Sequence, residues 1–182
     1  KKNQDAMKYL TNIILIYTSN TTHSPTTTAT STSTEATKNI VADCYLKRGD
    51  VYYEKGLTDQ AKRDYLFALG LNSNLAYARY KLGVICLALN ENDNAMRHFS
   101  DCVRIDPEFT KAHLSRADFY FNLDNHSEAL THYTKAIDSH KKLSLVQTTS
   151  HQQHQHQQQY NTKLTEEELI RCHLNRGICN ES

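Results

Sequence analysis

Few of the reactive side chains in this 182-residue sequence are spaced for chemistry. His151, His154 and His156 have donor atoms suited to nickel, copper or zinc. A Gln/His tract is not preorganised around an ion, however, so no metal site is expected there. The five cysteines, Cys44, Cys86, Cys102, Cys172 and Cys179, are odd in number, widely spaced and free of any C-x-x-C pair. That pattern suggests neither a zinc site nor a disulfide framework, and it fits a reducing compartment. Cys86 and Cys102 read as buried, inert thiols, and adjacent Cys172 and His173 would point in different directions on a helix. Asp138, Glu166 and Glu168 fall on expected solvent faces or at a helix start, where acids are ordinary. Asn20, Asn125 and Asn180 each open an N-x-S/T triplet, which in a Ser/Thr/Asn-rich chain arises mostly by chance. No phosphate-binding loop, dinucleotide glycine pattern or Gly-x-Ser-x-Gly elbow occurs, and there are only 5 glycines. The reading is a non-enzyme with no catalytic residue, no cofactor and no metal.

Charge and composition narrow the class further. Lys plus Arg is 21 against 20 Asp plus Glu, a net charge of +1. Such a chain has no overall field to draw nucleic acid or an anionic membrane surface, and neither is expected as a partner. The longest apolar run, from Ile13 to Tyr17, is far short of the roughly 20 residues of a membrane span. No secretory signal follows it. Scarce Gly and Pro disfavour a turn-rich β fold.

Two stretches cannot build a core. Between Thr18 and Thr37, 14 of 20 residues are Ser or Thr, and Gln147 to Gln159 holds only Gln, His, Thr and Ser. Lacking apolar side chains to offset ordering entropy, both are expected to be mobile. Between them the sequence is self-similar at a period of 34: Gly49, Gly83, Ala117; Ala61, Ala95, Ala129; Tyr65, Phe99, Tyr133; Ala68, Cys102, Ala136. A fifth row is Tyr52, Cys86, Tyr120. A fixed period of this length marks a repeat architecture in which each unit covers its neighbour's apolar face.

Each copy predicts two helices. The breaks fall at Lys55–Thr58, Asn90–Asp93 and Asp124–His126, with Gly56 as a helix stop and Ser127 as an N-cap. Small residues in three rows let the paired helices approach, and the aromatic row fills the space between them. At the start of the chain, Ala6, Leu10 and Ile13 fit a second helix of a preceding repeat. At its end, Leu174-Asn175-Arg176-Gly177 repeats Leu46-Lys47-Arg48-Gly49, behind a Thr165/Glu168 capping box.

These rows, with Pro107 at a repeat end, resemble the tetratricopeptide repeat (TPR) family from Ala42 to about Lys141. The tryptophan position of that family holds Tyr45, Arg79 and His113 here, and the leucine before the small residue is Arg48 and Arg116 in copies one and three. The resemblance implies an all-α fold, an α-solenoid of antiparallel helix pairs with two low-complexity insertions. The expected segments are a partial repeat over 1–17 and a Ser/Thr-rich insertion over 18–38. Repeats over 42–75, 76–109 and 110–143 follow, then a Gln/His-rich insertion over 144–164 and a truncated repeat over 165–182.

The resemblance also implies where a ligand would sit. In that family the first helix of each pair lines a concave groove. The inward places here read Asp43, Leu46, Lys47, Asp50 and Tyr53, then Tyr77, Tyr80, Lys81, Val84 and Leu87, then Lys111, Leu114, Ser115, Asp118 and Phe121. Partner-binding residues are therefore expected at Lys47, Tyr53, Tyr77, Tyr80, Lys81, Leu87, Lys111, Leu114 and Phe121, an aromatic strip with lysines along it. The places with which family co-chaperones grip a C-terminal carboxylate read Leu46, Asp50, Lys81, Lys111 and Ser115. Only Lys111 matches, which speaks against a chaperone clamp. The asparagine ladder of the sugar-transferring family members is also missing.

The expected function is a non-catalytic scaffold binding a peptide or helix of a protein partner, as a piece of a longer repeat protein. The alternative is a targeting arm for an enzyme whose catalytic domain lies elsewhere. The inserts suggest a eukaryotic source and the thiols suggest the cytoplasm, with cilium and nucleus left open.

Overall fold

The computed structural model describes residues 2–22, 31–149 and 164–181. These form eight helices: α1 (Lys2–Thr22), α2 (Ser31–Glu54), α3 (Thr58–Leu71), α4 (Ala76–Ala88), α5 (Asn92–Ile105), α6 (Thr110–Asn122), α7 (His126–Thr149) and α8 (Glu166–Glu181). No strand occurs among the described residues. The fold is all-α, of the solenoid class built from helix pairs. It divides into two compact units, 1–85 and 86–182. The expected mobility of the Gln/His tract, and its three histidines, fall largely or wholly outside the described residues.

In the first unit α2 packs against α1 and α3. The small and aromatic rows do what their sizes dictate: Ala61, Tyr65 and Ala68 on α3 are all fully buried. A Cβ added to Gly49 on α2 would stand 2.9 Å from Tyr65 Cε1, so the ring rests against bare backbone there and would have to shift for a larger residue. The arginine at the leucine position, Arg48, lies within the helix pair. Its Nε and Nη2 donate to the two Asp64 oxygens at 2.7 Å each, a bidentate pair. The guanidinium carbon sits between two rings, 5.3 Å from the Tyr45 centroid and 5.8 Å from that of Tyr52. Helix α1 is held to α2 through buried Leu10 and Ile14, and Arg48 Nη1 reaches Thr11 Oγ1 at 3.5 Å. The expected face is thus rotated: Ala6 is exposed and Ile13 only half-buried. Burial follows the side of α1 that meets α2, which the register could not specify.

In the second unit α6 packs against α5 and α7, and α7 against α8. Its core joins Ala117, Ala129, Tyr133, Ala136 and Ile137 to Leu164, Cys172 and Cys179.

The turns inside the pairs share one geometry. Gly56, Asn90 and Asp124 have φ of 74°, 59° and 55°, the left-handed region, at the same 34-residue spacing. In each, the next amide donates back five residues: Leu57 to Tyr52, Glu91 to Cys86 and Asn125 to Tyr120, at 2.8–3.0 Å. Asn125, not Ser127, caps α7: its Oδ1 accepts from the Glu128 amide at 3.3 Å, and Ser127 is already helical. The capping box at Thr165 and Glu168 is formed in both directions, at 2.8 and 3.2 Å.

Helix ends depart from the expected breaks where a stop is missing. Helices α3 and α5 end in Asx turns, with the Asn74 amide on Asn72 Oδ1 and the Glu108 amide on Asp106 Oδ1. The corresponding residue in copy three is His140, which offers no such turn, and α7 continues to Thr149. Helices α1 and α2 also run into the Ser/Thr-rich stretch, to Thr22 and from Ser31. Ser and Thr only weaken a helix, and extending an existing one needs no new nucleus. Thr18 and Ser19 tie their hydroxyls back to the Leu15 and Ile16 carbonyls.

Candidate functional site

The expected binding residues sit on α2 and α4 in the first unit and on the end of α4 and α6 in the second. In the first unit the polar centre is Asp50 on α2. Its Oδ1 accepts from Tyr65 Oη at 2.7 Å and from Tyr77 Oη at 2.8 Å, and Lys81 Nζ lies 3.5 Å away. Lys81 also stands over two rings, 4.9 Å from the Tyr53 centroid and 5.4 Å from that of Tyr77. One carboxylate, one ammonium and three phenol rings thus form a single cluster. Burial, then the adjacent Asp50 charge, pushes the Tyr65 hydroxyl far above its usual range, so it stays protonated and donates.

Lys81 is therefore a partnered cation, with 19% of its side chain exposed. With Tyr53 and Tyr77, both half-buried, it forms a platform of two rings and one ammonium. Lys47 is exposed and Tyr80 half-buried.

The second unit repeats the arrangement two copies on. Tyr133 Oη donates to Asp118 Oδ1 at 2.7 Å and accepts from Asn175 Nδ2 at 2.8 Å. Arg171 Nη2 lies 3.1 Å from Asp118 Oδ2. Burial raises the Asp118 carboxyl above its ordinary value, opposed by the Tyr133 hydrogen bond and Arg171. The intervening copy carries Val84 and Phe99 at these two places, so acid and phenol are exchanged together for two apolar residues. Of the expected contacts here, Leu87, Lys111 and Phe121 are half-buried, and Phe121 meets the Tyr133 ring edge-on at 6.2 Å. Leu114 is only 4% exposed and belongs to the core, so it is removed from the set of surface contacts. It packs in the core of the second unit, in the cluster that holds Ala117, Ala129 and Tyr133, as Leu46 at the same place in copy one is buried in the first.

The cysteines are free and buried. Burial pushes the Cys172 thiol up to about 12, which keeps it protonated and unreactive at neutral pH. Among the described residues no three His, Cys, Asp or Glu side chains converge as metal ligands, and no helix is long and apolar enough to cross a membrane.

Comparison with known proteins bears on this geometry. Tetratricopeptide repeat profiles match residues 46–108 and 110–140, together just over half of the chain. The chain belongs to the tetratricopeptide repeat family. Human tetratricopeptide repeat protein 6 is 31% identical over 98 residues, which cover 52% of this chain and 19% of that protein. The matched segment is thus about a fifth of the relative's length. Two crystal structures of MamA share the fold. One has a TM-score of 0.53 at 23% identity, covering 61% of this chain and 67% of that one. The other has a TM-score of 0.51 at 14% identity, covering 98% and 93%. A TPR scaffold of this kind serves protein–protein interaction in general.

Sequence reasoning placed the TPR rows but not the polar partners within them. The Asp50–Tyr65 and Asp118–Tyr133 pairs recur 68 residues apart and are replaced as a pair in copy two, a covariation within one chain. That signal was present in the sequence. Its meaning needed the hydrogen bonds.

Proposed function

We propose that this TPR chain is a non-catalytic interaction module that holds an extended peptide or a helix of a protein partner against its first-in-pair helices. The observation that carries the reading is the Tyr53–Tyr77–Lys81 platform fixed by Asp50. A half-buried ring already held by a hydrogen bond, as Tyr77 is by Asp50, loses little entropy on binding, and aromatic rings dominate interface energetics. Because Lys81 is neutralised by Asp50, the platform favours apolar and aromatic side chains flanked by polar groups over a bare terminal carboxylate. Lys47, Tyr80, Leu87, Lys111 and Phe121 are the remaining proposed contacts.

The test compares affinity capture from cell extract by wild type and by a Tyr53→Ala, Tyr80→Ala variant, each first checked for an unchanged unfolding midpoint. A partner retained by wild type and lost by the variant supports the reading and yields the ligand. An identical partner set for both overturns it.

A further inference from the structure

The second unit contains an arginine whose built-in counter-ion has been removed. In copy one, Arg48 grips Asp64 and its guanidinium lies between the Tyr45 and Tyr52 rings. The corresponding residues in copy three are Arg116, His132, His113 and Tyr120. There it is the imidazole of His132 that fills the sandwich, 5.8 Å from the His113 ring and 5.7 Å from that of Tyr120. The guanidinium has lost both its carboxylate and its place between the rings. Arg116 Nε is buried and has no hydrogen-bond partner among the described residues.

Arg116 instead lines a cleft of about 330 Å³ formed by α5, α6, α7 and the segment joining α5 to α6. Lys135 and Lys142 line it with the acids Glu108 and Asp138, which leaves one net positive charge. Glu108 is bound already: Lys142 Nζ donates to it at 2.7 Å, and the Ser139 hydroxyl also donates. His113 Nε2 lies 2.9 Å from the Pro107 carbonyl, which can only accept, so that nitrogen carries the proton. The donors not committed within the cleft are therefore those of Arg116 and Lys135.

We propose that this cleft is an oxyanion site that takes a carboxylate or phosphoryl group from an acidic peptide of a partner, with the Arg116 guanidinium as the main donor and Lys135 beside it. The copy-one pair is its template within the same chain: the partner supplies in trans the group that Asp64 supplies in cis. The site shares no residue with the aromatic platform and stands whether or not that platform binds. The buried, positive surroundings agree with it. Burial, with Arg116, His113 and Lys135 adding to it, holds the His132 ring down at about 3. A bound anion would relieve that field.

The probes are acetate and inorganic phosphate, titrated at constant ionic strength against chloride while the Arg116 Nε–Hε signal is followed by NMR. A saturable shift is expected, with tighter acetate or tighter phosphate binding assigning the carboxylate or the phosphoryl group. Arg116→Leu copies the residue at this register in copy two, Leu82, which is buried there. It removes the reporter signal, so binding is read from the neighbouring amides. His132→Asp restores the copy-one carboxylate, which should occupy Arg116 and block the site while keeping the fold. Each variant should weaken binding about tenfold or more. No saturable shift with either anion, or binding that survives both substitutions, would overturn the proposal.

Discussion

A side chain's role in this chain is set by the residue one or two repeats away from it as much as by its own chemistry. Arg48 and Asp64 are a case: their side chains are 15% and 5% exposed, so each is an expensive charge without the other. Asp64→Ala should cost about 3–5 kcal/mol in urea unfolding, whereas Arg48→Leu with Asp64→Ala should recover most of that loss. A cycle that is simply additive would show the pair to be solvent-screened and the burial argument wrong. His132 offers a complementary test. Burial lowers its pKa from 6.5 to about 3, so the folded state resists a proton that the unfolded chain accepts. Stability is then complete above pH 6.5 and falls progressively toward pH 3, by up to about 1.4 kcal/mol per unit. His132→Phe keeps the ring between His113 and Tyr120 and removes the titration. Unfolding midpoints from pH 7 to 5 should therefore fall less in the variant, and parallel pH profiles would refute the assignment. None of this was legible from Arg116 or His132 alone. Arg116 stands in the sequence only as an arginine at the leucine position, and His132 carries no signal of its own until the Arg48–Asp64 contact shows which group is missing.

At the scale of elements, the 34-residue period made the helix pairs and the tight rows legible, because sterics repeat with the backbone. Helix ends were less so, since they depend on single residues. Gly56, Asn90 and Asp124 occupy the same left-handed turn, yet only the glycine is free of a Cβ penalty there. An added Cβ at Gly56 meets nothing within 4 Å, so Gly56→Ala tests backbone strain alone. It should destabilise by about 1 kcal/mol, and Asp124→Gly should stabilise by up to about the same amount. If both substitutions moved the unfolding midpoint in one direction, the shared turn geometry would not be what ends α2 and α6. The same logic explains α7. Asn72 and Asp106 stop their helices by side-chain turns, His140 cannot, and the helix runs past the boundary that the period implied.

At the scale of the whole molecule, the distribution of charge decides which partners are open to it. The net charge is only +1, and among the described residues several basic groups are answered locally: Arg48 by Asp64, Lys81 by Asp50, Arg171 by Asp118, Lys142 by Glu108. Polyanion binding draws on many cations acting together and on the counterions they release, whereas a single arginine in a cleft binds one oxyanion at a time. The two modes separate on a heparin column. The intact chain should elute below about 0.15 M salt, because a balanced composition with a net charge of +1 has no overall positive field to hold a polyanion. The Arg116→Leu variant should elute at nearly the same point, since one residue contributes little to a distributed field. Retention well above that salt would mean that a basic surface dominates and that nucleic acid is a candidate partner after all. A large drop in retention on losing Arg116 alone would instead make the cleft the main anion-binding feature of the protein.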